Sequence, residues 1–413
     1  MKYIKIKKCR CCKSTNIKDF IDFGFMSLTT EFPKKREKRK EIPMNLVICD
    51  KCKLFQLSHN YDLKKLYNKD YGYKSGINNS MKNHLKGITK EIESICKLYP
   101  KDFVLDIASN DGTLLKSYIR KDVKKIGIDP VISKYKNYYK NIKSYSGLFN
   151  KRRFLSLSKN KKAKIITSIA VFYDIQNPEQ FISDIKDILH EDGIWVMEQS
   201  YFPFLIKNNA FDSICHEHLS YFMYEQIKIL LNRNGLKLID VKFNDMNGGS
   251  FRLFITHVKT LYNENKKNIS LLSKYEKKIL FELKKTKFEF KKNIKLLKKN
   301  LIKLLIKLKN QNKKVHIYGA STKGNVILQY CNIGPDLIPY AAERNPDKYG
   351  RYTPGSLIPI VSEKFSRNLE PDYYFVMPWH FKTEIIKREK KFLKRGGKFI
   401  FPLPKINIYK MQK

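Results

Sequence analysis

Val104-Leu-Asp-Ile-Ala-Ser-Asn-Asp-Gly-Thr-Leu-Leu115 decides the fold. An apolar run, Phe103 to Ala108, is closed by Ser109-Asn-Asp-Gly112. That order predicts a buried strand, a tight turn and the start of a helix. Comparable runs recur at Lys125–Asp129, Lys164–Val171 and Gly193–Glu198. Helical patterns separate them, notably Pro178–Leu189 with apolar residues at 181, 182, 185, 188 and 189. Strands alternating with helices predict a mostly parallel sheet covered on both faces, an α/β fold.

A second opening of the same kind follows at Lys314-Val-His-Ile-Tyr-Gly319, with further strands expected at Asp372–Met377 and Lys398–Phe401. Between the two units, apolar residues recur at helical spacing among lysines. They include Leu271, Leu272, Tyr275, Ile279, Phe288, Phe290, Ile294, Leu297, Leu301, Leu305 and Leu308. One long or two shorter amphipathic helices fit this pattern. A helical stretch is also expected around 61–99, after a charged loop at Lys34–Lys40 and a short strand at Met44–Cys49.

The chain has 413 residues, 42% of them hydrophobic and 13% aromatic, enough for two or three packed domains and too apolar for a disordered chain. No run approaches the roughly 18 uncharged apolar residues of a membrane-spanning helix. The first residues carry charge but no apolar run or cleavage site, so a cytoplasmic location is expected. The 83 Lys and Arg against 39 Asp and Glu give a net charge of +44. The lysines are spread over the whole chain rather than gathered among aromatics. A solvated, lysine-rich surface is therefore preferred to nucleic-acid binding, which stays as the alternative.

Eight cysteines are present, four of them in Cys9-x-x-Cys12 and Cys49-x-x-Cys52. Each short loop lets two thiolates face one ion, so the four predict a closed, structural Zn²⁺ site; Cys11 is the bystander. At the first turn, Asp106 and Asp111 are acidic and Ala108 stands where a dinucleotide site would want glycine. Asp129, ending the next strand, is placed to accept from ribose hydroxyls. With Asn110 and Gly112 these residues suit a cationic cofactor, S-adenosylmethionine, better than an anionic one. Cys215-His216-Glu217-His218 is dense in groups that move protons near neutral pH. If that segment is extended, His216 and His218 point the same way and a metal remains conceivable, but acid–base work is preferred. Asn247-Gly-Gly249-Ser250-Phe-Arg252 reads as a polar turn for a hydroxylated or phosphorylated ligand. Ser321 and Lys323, after Gly319, could meet a phosphate.

The chain resembles the bacterial nucleotide-sugar C-methyltransferases. The resemblance rests on the two cysteine pairs, Tyr71-Gly-Tyr73-Lys-Ser75, Asp106-Ile-Ala-Ser-Asn-Asp-Gly112, Val171-Phe-Tyr-Asp174, Glu198-Gln-Ser-Tyr201, Cys215-His-Glu-His218, Asn247-Gly-Gly-Ser250 and Tyr318-Gly-Ala-Ser-Thr-Lys-Gly324. It implies a zinc-binding unit at 1–65, a class I methyltransferase domain at 66–260, an amphipathic helical linker at 261–312 and a Rossmann-like domain at 313–413. It also implies methylation of carbon in a nucleotide-linked keto-sugar, a step of deoxysugar biosynthesis, by base-assisted enolate formation and in-line methyl transfer. His218 would be the base and Glu217 its partner, with Tyr73 and Tyr221 near the sugar and the enolate oxygen. Cys215 stands where the family often has tyrosine, and Ala108 where it has glycine. A nucleic-acid-modifying methyltransferase, an NAD-dependent oxidoreductase and a non-catalytic binding protein are the alternatives.

Overall fold

The computed structural model describes residues 3–37, 39–67 and 71–411. Lys38, in the expected charged loop, and residues 68–70, in the expected helical stretch, lie outside the described residues. Phe103–Ile107 is an interior strand of a seven-stranded sheet, with parallel neighbours Lys124–Ile128 on one side and Ala163–Ile169 on the other. Outward from these run Lys143–Tyr145 at one edge and, at the other, Leu189–Ser200, Ser250–His257 and Leu236–Asn244. Ser250–His257 runs antiparallel to both its neighbours, the hairpin that the polar turn at 245–249 closes. Val104, Leu105 and Ile107 are buried, which explains the unbroken apolar run: an interior parallel strand is covered on both faces.

The expected helix after Asn177 forms at Pro178–Ile188. The Asn177 side chain accepts from the Gln180 N–H at 3.4 Å, proline occupies the first turn, and Phe181, Ile182, Ile185 and Ile188 are buried. Of the stretch expected to be helical at 61–99, Leu63–Leu66 and Asn79–Ile95 are α-helical. Residues 71–78 instead form a strap with one 3₁₀ turn at Ser75–Ile77. The lysine-rich stretch forms two helices, Lys266–Phe281 and Leu283–Asn310, broken at Glu282. The second buries Phe290, Ile294, Leu297, Leu301, Leu305 and Leu308, whereas Leu271 and Phe288 of the expected stripe are exposed.

The second α/β unit is a six-stranded sheet in the order Ile360–Ser362, Ala341–Glu343, Val315–Tyr318, Tyr373–Val376, Lys398–Phe401, Asn407–Tyr409. All neighbours are parallel except the last pair. Both large sheets thus change winding direction beside their first strand, at Phe103–Ile107 and Val315–Tyr318.

At the N-terminus Ile17–Met26, Ile42–Cys49 and Phe55–Leu57 form an antiparallel sheet whose fourth strand is Ser220–Tyr221. The sheet therefore crosses the boundary expected at 65. Its apolar face, the Leu283–Asn310 helix and the C-terminal sheet share one core, in which Phe20 stacks on Phe290 with centroids 6.2 Å apart. Cys9, Cys12, Cys49 and Cys52 converge at one end, their sulfurs all within 4.8 Å of one another. Cys9 and Cys52 are 3.6 Å apart and Cys12 and Cys49 3.5 Å. Tetrahedral zinc, with bonds of about 2.3 Å, needs sulfurs about 3.8 Å apart, so the four thiols fit the ion. Cys11 is not one of the four, and its thiol donates to the Gln226 carbonyl at 3.4 Å. No helix among the described residues is long and apolar enough to cross a membrane.

Zinc is expected to stay with the wild-type chain through gel filtration and to be lost from Cys49→Ser, measured by atomic emission. In that variant the amides of Ile42–Cys49 should exchange faster with solvent. Leu301→Ala, which opens a hole where helix and sheets meet, should cost about 2–5 kcal/mol in urea unfolding.

Candidate functional site

The carboxyl ends of both parallel sheets open into one cavity of about 370 Å³. Such ends, at the point where winding reverses, leave a crevice between diverging loops. Asp106 and Ala108–Asn110 follow the first strand of the central sheet, Asp129 the second, and Ala170–Asp174 the fourth. Gly319, Ser321–Lys323, Glu343 and Pro378 line the cavity from the C-terminal sheet. Cys215, Glu217 and His218 form another wall, and Tyr73 stands at the rim, 42% exposed.

Ala108 and Asn110 both adopt positive φ, 59° and 50°. This is the backbone for which the usual glycine is suited, held here by an Ala108 N–H bond to the Ile128 carbonyl at 2.8 Å. Asp106 is buried and accepts from the Thr167 hydroxyl at 2.6 Å. Burial raises its carboxyl to about 7, against the pull of that hydrogen bond and with the Asp129 charge adding to it. Asp129 accepts from the N–H groups of Val131, at 2.7 Å, and Asn110, at 3.0 Å; burial still outweighs both and pushes its carboxyl up. Two carboxyls held away from their charged forms for want of a positive neighbour are the donor set a cationic cofactor satisfies, so these residues fit S-adenosylmethionine.

Asp111 and Gly112 do not line the cavity. The Asp111 carboxylate accepts from the Gly76 N–H at 3.0 Å and the Thr113 hydroxyl at 2.6 Å, while Asn110 accepts from the Ser75 N–H at 3.0 Å. Both side chains fasten the 71–78 strap over the turn.

Cys215–His218 is a turn, closed by the His218 N–H on the Cys215 carbonyl at 3.0 Å, so the two histidines diverge. His216 is fully buried outside the cavity, edge-on to Tyr61 at 5.0 Å. His218 faces the cavity with its ring 4.2 Å from that of Tyr173. Its Nδ1–H donates to the Ser213 carbonyl at 2.7 Å, which leaves Nε2 as the unprotonated, accepting nitrogen. Burial, and then the Lys323 charge, lower its pKa to about 3 against the stabilising Ser213 bond, so the ring is neutral rather than titrating near 7. Glu217 accepts from the Thr29 hydroxyl at 3.1 Å. Tyr221 is turned out of the cavity, its hydroxyl on the Ser213 carbonyl at 3.4 Å.

The glycine-rich turn and the C-terminal turn meet: the Lys323 ammonium donates to the Asn247 carbonyl at 3.2 Å. Asn247 lines the cavity, but Gly249, Ser250 and Arg252 do not. Gly249 has φ +119°, and a Cβ there would lie 2.7 Å from Phe204, so it is required for packing. The Ser250 hydroxyl donates to the Met246 carbonyl. Arg252 is spent on Glu91 and Glu198. Sequence reasoning passed over Glu198, which lines the cavity and pairs with His84, and Asp174, which accepts from the Tyr67 hydroxyl at 2.7 Å. Both stood in motifs quoted for the resemblance; their contacts join segments about a hundred residues apart.

Residues 9–67 match a family model described as "Putative zinc binding domain", 85–241 one described as "Methyltransferase domain", and 245–404 one described as "C-methyltransferase C-terminal domain". The chain is 27% identical over 419 residues to the C-methyltransferase NovU of Streptomyces niveus, across 98% of this chain and 97% of that protein. Similar solved structures include the plantazolicin methyltransferase BpumL in complex with SAH and a pentazolic desmethylPZN analog, at 14% identity, 42% of this chain, 83% of that one and a TM-score of 0.34. Another is the N-methyltransferase NodS from Bradyrhizobium japonicum WM9, at 13%, 44%, 98% and 0.32. With the three domain matches in chain order over a cavity suited to a cationic cofactor, the chain is an S-adenosylmethionine-dependent C-methyltransferase with a structural zinc unit of its own.

Proposed function

We propose that this enzyme methylates a carbon beside the ketone of a nucleotide-linked keto-sugar. The observation that carries the reading is the His218 tautomer. A neutral imidazole with Nδ1–H fixed on the Ser213 carbonyl keeps the Nε2 lone pair for a substrate proton, and it sits in a cavity reaching both sheet ends. Methylating carbon requires a carbanion equivalent, and removal of a proton next to a carbonyl provides one. S-adenosylmethionine, when bound, supplies a methyl group on a positively charged sulfur.

Asp106, Ala108, Asn110 and Asp129 hold the cofactor. The nucleotide diphosphate goes to the C-terminal side, where Ser321 and Lys323 offer donors at the turn after Val315–Tyr318 and Glu343 ends the next strand. That strand-end carboxylate has the place at which nucleotide-binding α/β folds receive ribose hydroxyls. Tyr73 closes the sugar from the rim, and Cys215 and Asn247 contribute to its walls. The buried wall around His218 limits the water that would protonate a carbanion.

Mass spectrometry of dTDP- or UDP-linked ketohexoses incubated with enzyme and S-adenosylmethionine should find products one methyl group heavier, with the label on carbon by NMR. His218→Ala should lower kcat/KM by roughly 10²–10⁴-fold with affinity for S-adenosylhomocysteine unchanged; full turnover in the variant would remove His218 from the role of base. Affinity for S-adenosylmethionine, followed by calorimetry, should rise several-fold between pH 6 and 8 as Asp106, held near 7, loses its proton and gains charge. Asp106→Asn should bind more weakly and lose that slope.

A further inference from the structure

Tyr221 is turned away and Tyr73 stands at the rim, so neither of the two expected tyrosines is a buried donor for the oxygen on which negative charge gathers. We propose that Asp174 is that donor, giving a hydrogen bond from Oδ1 to the acceptor's carbonyl oxygen while His218 takes the proton from the adjacent carbon. The inference rests on the keto-sugar reading above and names a further catalytic residue for it.

Three observations place the carboxyl. Asp174 ends the 3₁₀ turn Phe172–Asp174 directly after the fourth strand, and its neighbour Tyr173 lies against the His218 ring at 4.2 Å, so base and acid share one wall region. Its Oδ2 accepts from the Tyr67 hydroxyl at 2.7 Å. Its Oδ1 has no hydrogen-bond partner among the described residues and is closed in by its neighbours, while Asp174 itself lines the cavity and is 9% exposed.

The hydrogen-bond arithmetic then fixes where the proton sits. Tyr67 has one hydroxyl proton, and burial raises the phenol well above its ordinary range, so it donates and Oδ2 accepts. An ionised Oδ1 facing no donor would bear the full desolvation cost of a charge. Burial lifts the Asp174 carboxyl well above the usual range; the Tyr67 bond opposes this, the Glu217 charge adds to it, and Lys323 pulls against it. Burial thus favours the protonated acid, with Oδ1 the oxygen left to carry the proton. A carboxylic acid kept neutral by an apolar site serves this purpose in ketosteroid isomerase.

The step balances. The C–H bond breaks and its proton goes to His218 Nε2; the electron pair forms the carbon–carbon double bond; the carbonyl π pair moves to oxygen, which receives the Asp174 O–H. Charge grows on that oxygen only as the proton leaves, so the bond is stronger in the transition state than in the bound ketone.

Exchange of the acceptor's carbon-bound proton for deuterium, followed by NMR in D₂O with a dTDP-linked ketohexose and S-adenosylhomocysteine, isolates this step from methyl transfer. Asp174→Ala should slow exchange by about 10²–10³-fold, the cost of losing an oxyanion donor. Asp174→Asn keeps an oxygen for Tyr67 and presents an N–H to the cavity, so it should recover most of that loss. Calorimetric binding of S-adenosylhomocysteine to each variant confirms an intact fold. Wild-type exchange in Asp174→Ala, or Asn failing as badly as Ala in a chain that binds the cofactor product, overturns the donor and makes the carboxylate's charge or packing the reason for its place. If the wild type binds S-adenosylhomocysteine but exchanges no proton in dTDP- or UDP-linked ketohexoses, the keto-sugar reading falls and takes this inference with it.

Discussion

The site depends on a few backbone hydrogen bonds made by an edge strand. Leu57 donates to the Leu219 carbonyl at 2.9 Å, and Ser220 and Tyr221 pair with Gln56 and Phe55. His218 is the residue before this pairing begins. Its ring is therefore positioned from one side by the Ser213 carbonyl and from the other by the sheet that the zinc unit completes. Arg10, between the cysteines of the first pair, reinforces the junction. Its buried guanidinium donates to the carbonyls of Leu57, Leu219 and His59. Gln226 donates to the Cys52 carbonyl, and Arg233 to that of Cys11, so the next helix is bolted to the metal loops as well. A closed four-thiolate site has no position for substrate. Its contribution to the cavity is rigidity passed along this strand to the His218 imidazole.

A second constraint comes from the shared apolar core. The Leu283–Asn310 helix is buried against both the N-terminal sheet and the C-terminal unit, so the two cannot move apart without exposing its stripe. The cavity is thereby held between parts of the chain that meet from opposite directions. The 71–78 strap crosses that junction: Ser75 and Gly76 are tied to Asn110 and Asp111, and the Gly72 carbonyl accepts from Asn345 of the C-terminal unit. Tyr73, carried on the strap, is accordingly fixed by the cofactor turn.

What could be read in the sequence is what local pattern encodes. The cysteine pairs, the strand–turn–helix openings at 103 and 315, the buried face of the helix after Pro178 and the stripe from Phe290 to Leu308 all follow from spacing within one element. What could not be read needs a partner far along the chain. Asp111 carries the same acidity as Asp106 and differs only in facing Gly76 instead of the cavity. Arg252 resembles an anion-binding residue until Glu91 and Glu198 are known to surround it. His216 and His218 share a face only in an extended segment, and the Cys215–His218 turn separates them. Ile17–Met26 sets apolar residues side by side at Phe20-Ile21 and Phe25-Met26, and its pairing with Ile42–Cys49 shifts register twice, which hides it from a strict alternation test.

The net charge of +44 acquires a use in this architecture even though it specifies no fold. Surface lysines are screened from one another beyond about 8 Å at physiological salt. Their summed field nevertheless favours approach of an anion over a cation. On the proposed reading the two ligands differ in sign where it counts. The nucleotide diphosphate is drawn in by the general positive field and meets Lys323 within the cavity. On the same reading the cofactor's positive groups enter against that field, and the Asp106 carboxyl lines the cavity where they would lie. On that reading sorting by charge takes place inside one cavity, which has an acidic turn at one sheet and the Lys323 ammonium at the other. The neutral His218 stands between acidic and basic groups, where on the proposed reading a proton leaves carbon without any net charge being added to the site.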